Sequence, residues 1–79
     1  MNRGRFIPNI IKHYGVLYET DRGWTCEVNL VAWNGGEPKL DIRTWGPDKA
    51  KDIGKGVRLA KEATIKLHDI LSSIVESEE

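Results

Sequence analysis

Seventy-nine residues make one domain and leave no length for a second. Twelve Lys or Arg against twelve Asp or Glu exclude a uniformly basic, polyanion-coating surface, so any binding of phosphate has to be local. A lone cysteine, Cys26, excludes an internal disulfide and fits a reducing cytoplasm, and no apolar run approaches the roughly 20 residues that a membrane helix needs. A chain this small buries a modest share of its surface, and without a covalent staple a second copy is the simplest source of added stability. The amino terminus has no signal-peptide core, so a cytoplasmic, nucleoid-associated protein is expected. Residues 1–61 carry eleven Lys or Arg and seven Asp or Glu, whereas residues 62–79 carry one Lys and five acids. The body is mildly basic and the tail acidic.

In chain order, residues 1–9, with Arg3, Gly4, Arg5 and Pro8, show no period and are expected to form a flexible arm ahead of one binding domain over 10–76 and an acidic tail over 77–79. Ile10 to Glu19 is rich in β-branched and aromatic residues and reads as a strand. Asp21-Arg22-Gly23 supplies turn chemistry. From Trp24 to Trp33 the even positions Trp24, Cys26, Val28, Leu30 and Ala32 are apolar, and the odd ones Thr25, Glu27, Asn29, Val31 and Trp33 are mixed. That two-residue period predicts a half-buried strand with its even side, Trp24 included, inward. Asn34-Gly35-Gly36 reverses the chain, with Pro38 at a strand entrance. Lys39 to Trp45 repeats the parity, with Leu40 and Ile42 inward and Lys39, Asp41, Arg43 and Trp45 outward. Gly46 to Gly54 reads as a polar loop, Val57 and Leu59 as a short fourth strand. Ala63, Leu67, Ile70, Leu71, Ile74 and Val75 then recur at helical spacing for about four turns, with Ile65 off the stripe and marking a second contact surface.

If the apolar sides of the second and third strands coincide, odd residues must pair with odd, since a one-residue slip reverses every side chain. Trp33, Lys39, Arg43 and Trp45 then share one exposed face of an α+β fold, an antiparallel sheet of four strands covered on its other face by the C-terminal helix.

Basic and aromatic side chains on an open sheet suit a flexible polyanion with unstacked rings, because cations hold phosphate while indoles stack on bases. Trp33 and Trp45 are core or interface residues in the plainer reading; their place on the more polar parity favours stacking. Arg43 either grips phosphate or pairs with Asp41 or a cross-strand Glu27, and Asp41 can also orient it for binding. Gly54-Lys55-Gly56 lacks the Walker pattern but puts a lysine between two glycines within reach of a backbone phosphate. Lys39 and Arg58 are further candidates, and Lys49 and Lys51 read as a solvated loop. His13 and His68 stand apart from any metal-ligand spacing, Cys26 falls on the inward parity, and no carboxylate pair is set up for acid–base work. A non-enzymatic binder of single strands, with neither cofactor nor metal nor small-molecule substrate, is the expectation. Single-stranded RNA, or a protein-interaction module anchored by exposed tryptophans, are the alternatives.

The ordered series Gly23-Trp24, Ala32-Trp33-Asn34, Asp41-Ile42-Arg43-Thr44-Trp45-Gly46-Pro47-Asp48 and Gly54-Lys55-Gly56-Val57-Arg58-Leu59, followed by a helix, resembles the positive-cofactor-four family of transcriptional coactivators, particularly its small bacterial YdbC-like branch. The resemblance runs from about Ile10 to Val75. It implies a curved four-stranded antiparallel sheet, one C-terminal helix, a symmetric homodimer, and binding of single-stranded DNA with little sequence preference in transcription, replication or repair. It implies nucleic-acid roles for Trp33, Arg43, Trp45 and Lys55. Ala60 departs from it, standing where the family carries a capping residue.

Overall fold

Two reversals rest on backbone that takes positive φ. Gly23 (φ 85°) closes the first, where the Gly23 N–H donates to the Thr20 carbonyl at 3.0 Å and the Thr20 N–H to the Trp24 carbonyl at 2.7 Å. Asn34 and Gly35, with φ of 53° and 77°, close the second, and these residue types carry such angles at least cost. The computed structural model describes residues 7–77. Between and after these turns run β1 (Pro8–Glu19), β2 (Thr25–Trp33), β3 (Lys39–Trp45), β4 (Ile53–Leu59) and α1 (Lys61–Glu76). The strands form one antiparallel sheet in sequence order, so the fold is α+β with a four-stranded sheet and a C-terminal helix.

The β2–β3 register pairs Thr25 with Trp45, Glu27 with Arg43, Asn29 with Asp41 and Val31 with Lys39, the odd-to-odd parity that the apolar pattern demands. β1 starts at Pro8, where no ladder donor is required, earlier than the expected Ile10. Most of the expected arm, with Arg3, Gly4 and Arg5, lies outside the described residues, as do Glu78 and Glu79 of the tail. Twelve residues of β1 lie along nine of β2, the excess being absorbed by shifts between Ile10 and Lys12, His13 and Gly15, and Val16 and Tyr18. Extra residues of this kind bend a strand and increase its twist.

β4 is longer than expected and takes in both glycines. Gly56 lies opposite Arg43, and a Cβ there would collide with the Arg43 Cβ and the Ile42 carbonyl; one at Gly54 would collide with the Thr44 side chain. The motif Gly54-Lys55-Gly56 is therefore a close strand approach and not a flexible loop.

Burial reverses the expected sides except at Cys26 and Ala32, which are buried as expected. Glu27, Asn29, Val31, Trp33, Asp41 and Trp45, all on the odd parity, are buried, while Val28, Leu30, Leu40 and Ile42 on the even parity are half-buried and Val57 is exposed. Trp24, expected in the core, is half-buried ahead of β2. We call the odd face inner and the even face outer. The inner face is closed by its own hydrogen-bonded side chains, by Ile53 against the tryptophans, and by the β3–β4 connection reaching back to Glu27. Nor does the helix cover the outer face: α1 approaches only β3 and β4 and has no buried residue. Its entrance, Ala60, makes no side-chain cap. Ile65, Ile70, Leu71, Ile74 and Val75 are all exposed. Within one chain the apolar stripe of α1 and the apolar parity of the sheet have too little to pack against.

Candidate nucleic-acid interface

Strand pleating sets Asp41, Arg43 and Trp45 on one side of β3, and the register brings Glu27 and Asn29 beside them. The Asp41 carboxylate, wholly buried, holds three donors: the Trp33 indole N–H at 2.9 Å, Arg43 Nε at 2.7 Å and Arg43 Nη2 at 3.0 Å. The Arg43 Nη1 donates to the Gly54 carbonyl at 3.1 Å. Its Cζ lies 4.6 Å from the centre of the Trp33 ring, within the range where an indole face attracts a guanidinium. Trp33 in turn stacks with Trp45, ring centres 6.3 Å apart and planes 6° from parallel. Arg43, Trp33 and Trp45 thus form one layered unit pinned at its edge by Asp41.

This arrangement corrects the expected exposure of the two indoles. Trp33 is 8 % and Trp45 1 % exposed, and the guanidinium already occupies a face of Trp33. The physical reason is satisfaction: a polar, aromatic face can be sealed from water once its donors and acceptors are paired. Trp45 Nε1 is the exception, buried with no acceptor among the described residues. A protein-interaction module built on exposed tryptophans loses its anchors for the same reason. The Arg43–Asp41 ion pair is realised, and the Glu27 alternative is not.

Glu27 instead gathers a second cluster. Its Oε2 accepts from Thr25 Oγ1 at 2.6 Å, its Oε1 from Asn29 Nδ2 at 3.3 Å, and Lys49 Nζ lies 2.8 Å from Oε2 and 3.0 Å from Oε1. His13 Nδ1 is 2.6 Å from Asn29 Oδ1 and 3.7 Å from Glu27 Oε1. Burial pushes the Glu27 carboxyl up, but the bonds from Lys49, Thr25 and Asn29 outweigh it and hold the group below its ordinary value. Lys49 and Lys51 are both exposed, as expected of a solvated loop, but Lys49 also reaches Glu27 across the inner face.

Beside the layered unit is a hollow of about 470 Å³ lined by Trp33, Asn34, Arg43, Ile53, Gly54 and Arg58. Arg58 lies opposite Asp41 on β4 and is exposed, as is Lys55. Trp33, Arg43 and Arg58 therefore converge on one cavity, with Trp45 behind them and Lys55 on the neighbouring strand. Lys39 does not join them: it is exposed and borders a second hollow, of about 570 Å³, on the outer side with Tyr14, Val28, Leu30, Leu40 and Leu59. Sequence reasoning missed Glu27, Asn29, Lys49 and Asn34 as parts of the site. The first two carry a signal in retrospect, being charged or amide residues at alternate positions directly across from Asp41 and Arg43.

Among the described residues no group of His, Cys, Asp and Glu is placed to hold a metal ion, and no helix is long and apolar enough to cross a membrane. The class defined so far is a small α+β protein with an arginine-capped tryptophan stack on the inner face of an antiparallel sheet. No family model matches the chain. A protein of Treponema pallidum (strain Nichols), described as uncharacterized, is 40 % identical over 69 residues, covering 87 % of this chain and 80 % of the relative. At that identity and coverage the chain belongs to the same family as the treponemal protein.

Proposed function

We propose that this protein is a homodimeric binder of single-stranded DNA, related to the positive-cofactor-four family, that serves transcription, replication or repair and catalyses no reaction. The observation that carries the reading is the hollow in which two guanidiniums, Arg43 and Arg58, meet an indole, Trp33. Exposed cations at Arg58 and Lys55 attract the phosphate backbone, and the planar Arg43 guanidinium beside them, itself laid on Trp33, offers a flat group to an unstacked base. The near-zero formal charge makes this a local interaction.

The uncovered apolar stripe of α1 and the outer face of the sheet support the dimer. A second copy would bury Ile70, Leu71 and Ile74, which are about half exposed in the single chain, and would supply the apolar area that a domain of this size lacks.

Tryptophan fluorescence titration with oligo-dT, oligo-rU and duplex DNA tests the reading. Oligo-dT is expected to bind at low salt, duplex weakly, and the log of the affinity to fall linearly with log salt. Arg58→Ala and Lys55→Ala should each flatten that line by about 0.7, the single-strand increment per phosphate contact. A preference for oligo-rU would move the protein to RNA. Failure of every oligonucleotide to bind at low salt would sink the nucleic-acid reading.

A further inference from the structure

The bonding of Arg43 is at odds with a phosphate grip. A buried carboxylate already neutralises its charge through two hydrogen bonds, and a backbone carbonyl takes a third. A guanidinium has five N–H donors, so two remain, one on each terminal nitrogen. The group is held at its edge by Asp41, at Nη1 by Gly54, and against the Trp33 ring below, so these two donors have a fixed direction. Its side chain is 13 % exposed, and the space it borders is the hollow shared with Asn34, Ile53 and Arg58.

A phosphate drawn to this hollow finds Arg58 uncompensated but Arg43 already neutralised by the buried Asp41 carboxylate, so it pairs with Arg58 and not with Arg43. A neutral group offering paired acceptors needs no net charge at Arg43, and a flat ring can extend the existing stack. Exposed Arg58 and Lys55 carry no ion pair among the described residues and remain for the backbone.

We propose, resting on the single-strand reading above, that Arg43 recognises a nucleobase, not a phosphate, and that the hollow is a guanine subsite in which O6 and N7 accept the two remaining N–H groups. Guanine is the base that presents two adjacent acceptors on its Hoogsteen edge, and the arginine fork matches that spacing. Adenine offers a donor in place of O6, and thymine and cytosine have no N7. The protein then binds single strands generally through its cations and prefers those that place a guanine over Arg43.

Competition titrations on the full chain decide it. The probes are oligo-dT and the same strand carrying one central deoxyguanosine, deoxyinosine, 7-deaza-deoxyguanosine or deoxyadenosine. The guanine and inosine strands should bind about 10- to 100-fold more tightly than oligo-dT. The 7-deaza and adenine strands should not, since each lacks one acceptor of the pair. Arg43→Lys should erase the preference, because a lysine has no planar fork to match the two acceptors. Equal affinity for oligo-dT and the guanine strand overturns the subsite while leaving general single-strand binding intact. A salt slope lowered by about 0.7 in Arg43→Gln, which removes the charge that lysine keeps, puts the arginine on a phosphate and overturns it also. The modified-base comparison needs no variant, so a poorly folded Arg43→Lys protein does not obscure the answer. If no strand binds at all, the underlying function falls together with the subsite.

Discussion

Two carboxylates buried under the inner face do opposite kinds of work. Asp41 is the hinge of the site: it orients Arg43, satisfies the Trp33 N–H and is itself satisfied by three donors. Removing one member of such a buried pair leaves the other uncompensated, which costs about 3 kcal/mol or more. Asp41→Asn should therefore lower the urea midpoint by an amount equivalent to about 3 kcal/mol, and should free Arg43 to interact with phosphate. Glu27 ties the β3–β4 connection to the sheet through Lys49. Its folded carboxyl lies below the ordinary 4.5, so its contribution to stability is complete above that pH and is lost as pH falls through the lower folded value. Denaturation midpoints measured from neutrality to below pH 4.5 should accordingly fall more steeply for the wild type than for Glu27→Gln. Equal slopes would show that the carboxylate is not coupled to folding. At this scale the sequence was only partly legible: the chemistry of Arg43 and the tryptophans could be read, but whether they were open or sealed depended on partners contributed by other strands.

At the level of elements, β3 is where pattern and structure agree best. Its limits, Lys39–Trp45, match the expected ones, because a clean two-residue alternation bounded by Pro38 and Gly46 leaves little freedom. β4 was shorter in expectation because glycines weaken a strand signal. Here they are required by space, with Arg43 and Thr44 standing where their side chains would be. Gly56→Ala should cost about 1–3 kcal/mol in thermal or urea denaturation and should disturb Arg43 directly, so that affinity for oligo-dT changes with it. A silent Gly56→Ala would mean that the close approach is not needed. β1 was foreseen as a strand, but its three register shifts were not, since alternation reports which side chains share a face only while the ladder is regular.

For the whole molecule, shape argues for a missing partner. The Cα radius of gyration is 14.2 Å, with extents of 51 × 33 × 19 Å, whereas a compact chain of this length is expected near ~11.6 Å. The helix touches only β3 and β4, and its apolar stripe is uncovered. If that stripe meets a second copy, light scattering will give twice the mass of 9.0 kDa, and Ile74→Asp will shift the protein to monomer or unfold it. Obligate homodimers often have no stable folded monomer, so both outcomes support the interface. A folded wild-type monomer would contradict it.

Element order, the odd-to-odd register and the grouping of Trp33, Arg43 and Trp45 on one face followed from local pattern alone, because strand period and turn chemistry act between neighbours in the chain. Which face is sealed did not. The apolar parity looked inward by hydropathy, yet apart from Cys26 and Ala32 the buried residues of β2 and β3 lie on the polar parity, where Asp41 and Glu27 are paired with donors from β2, β3 and the β3–β4 connection. Whether the apolar parity is covered is decided by how the helix sits, and within a single chain it leaves that side open.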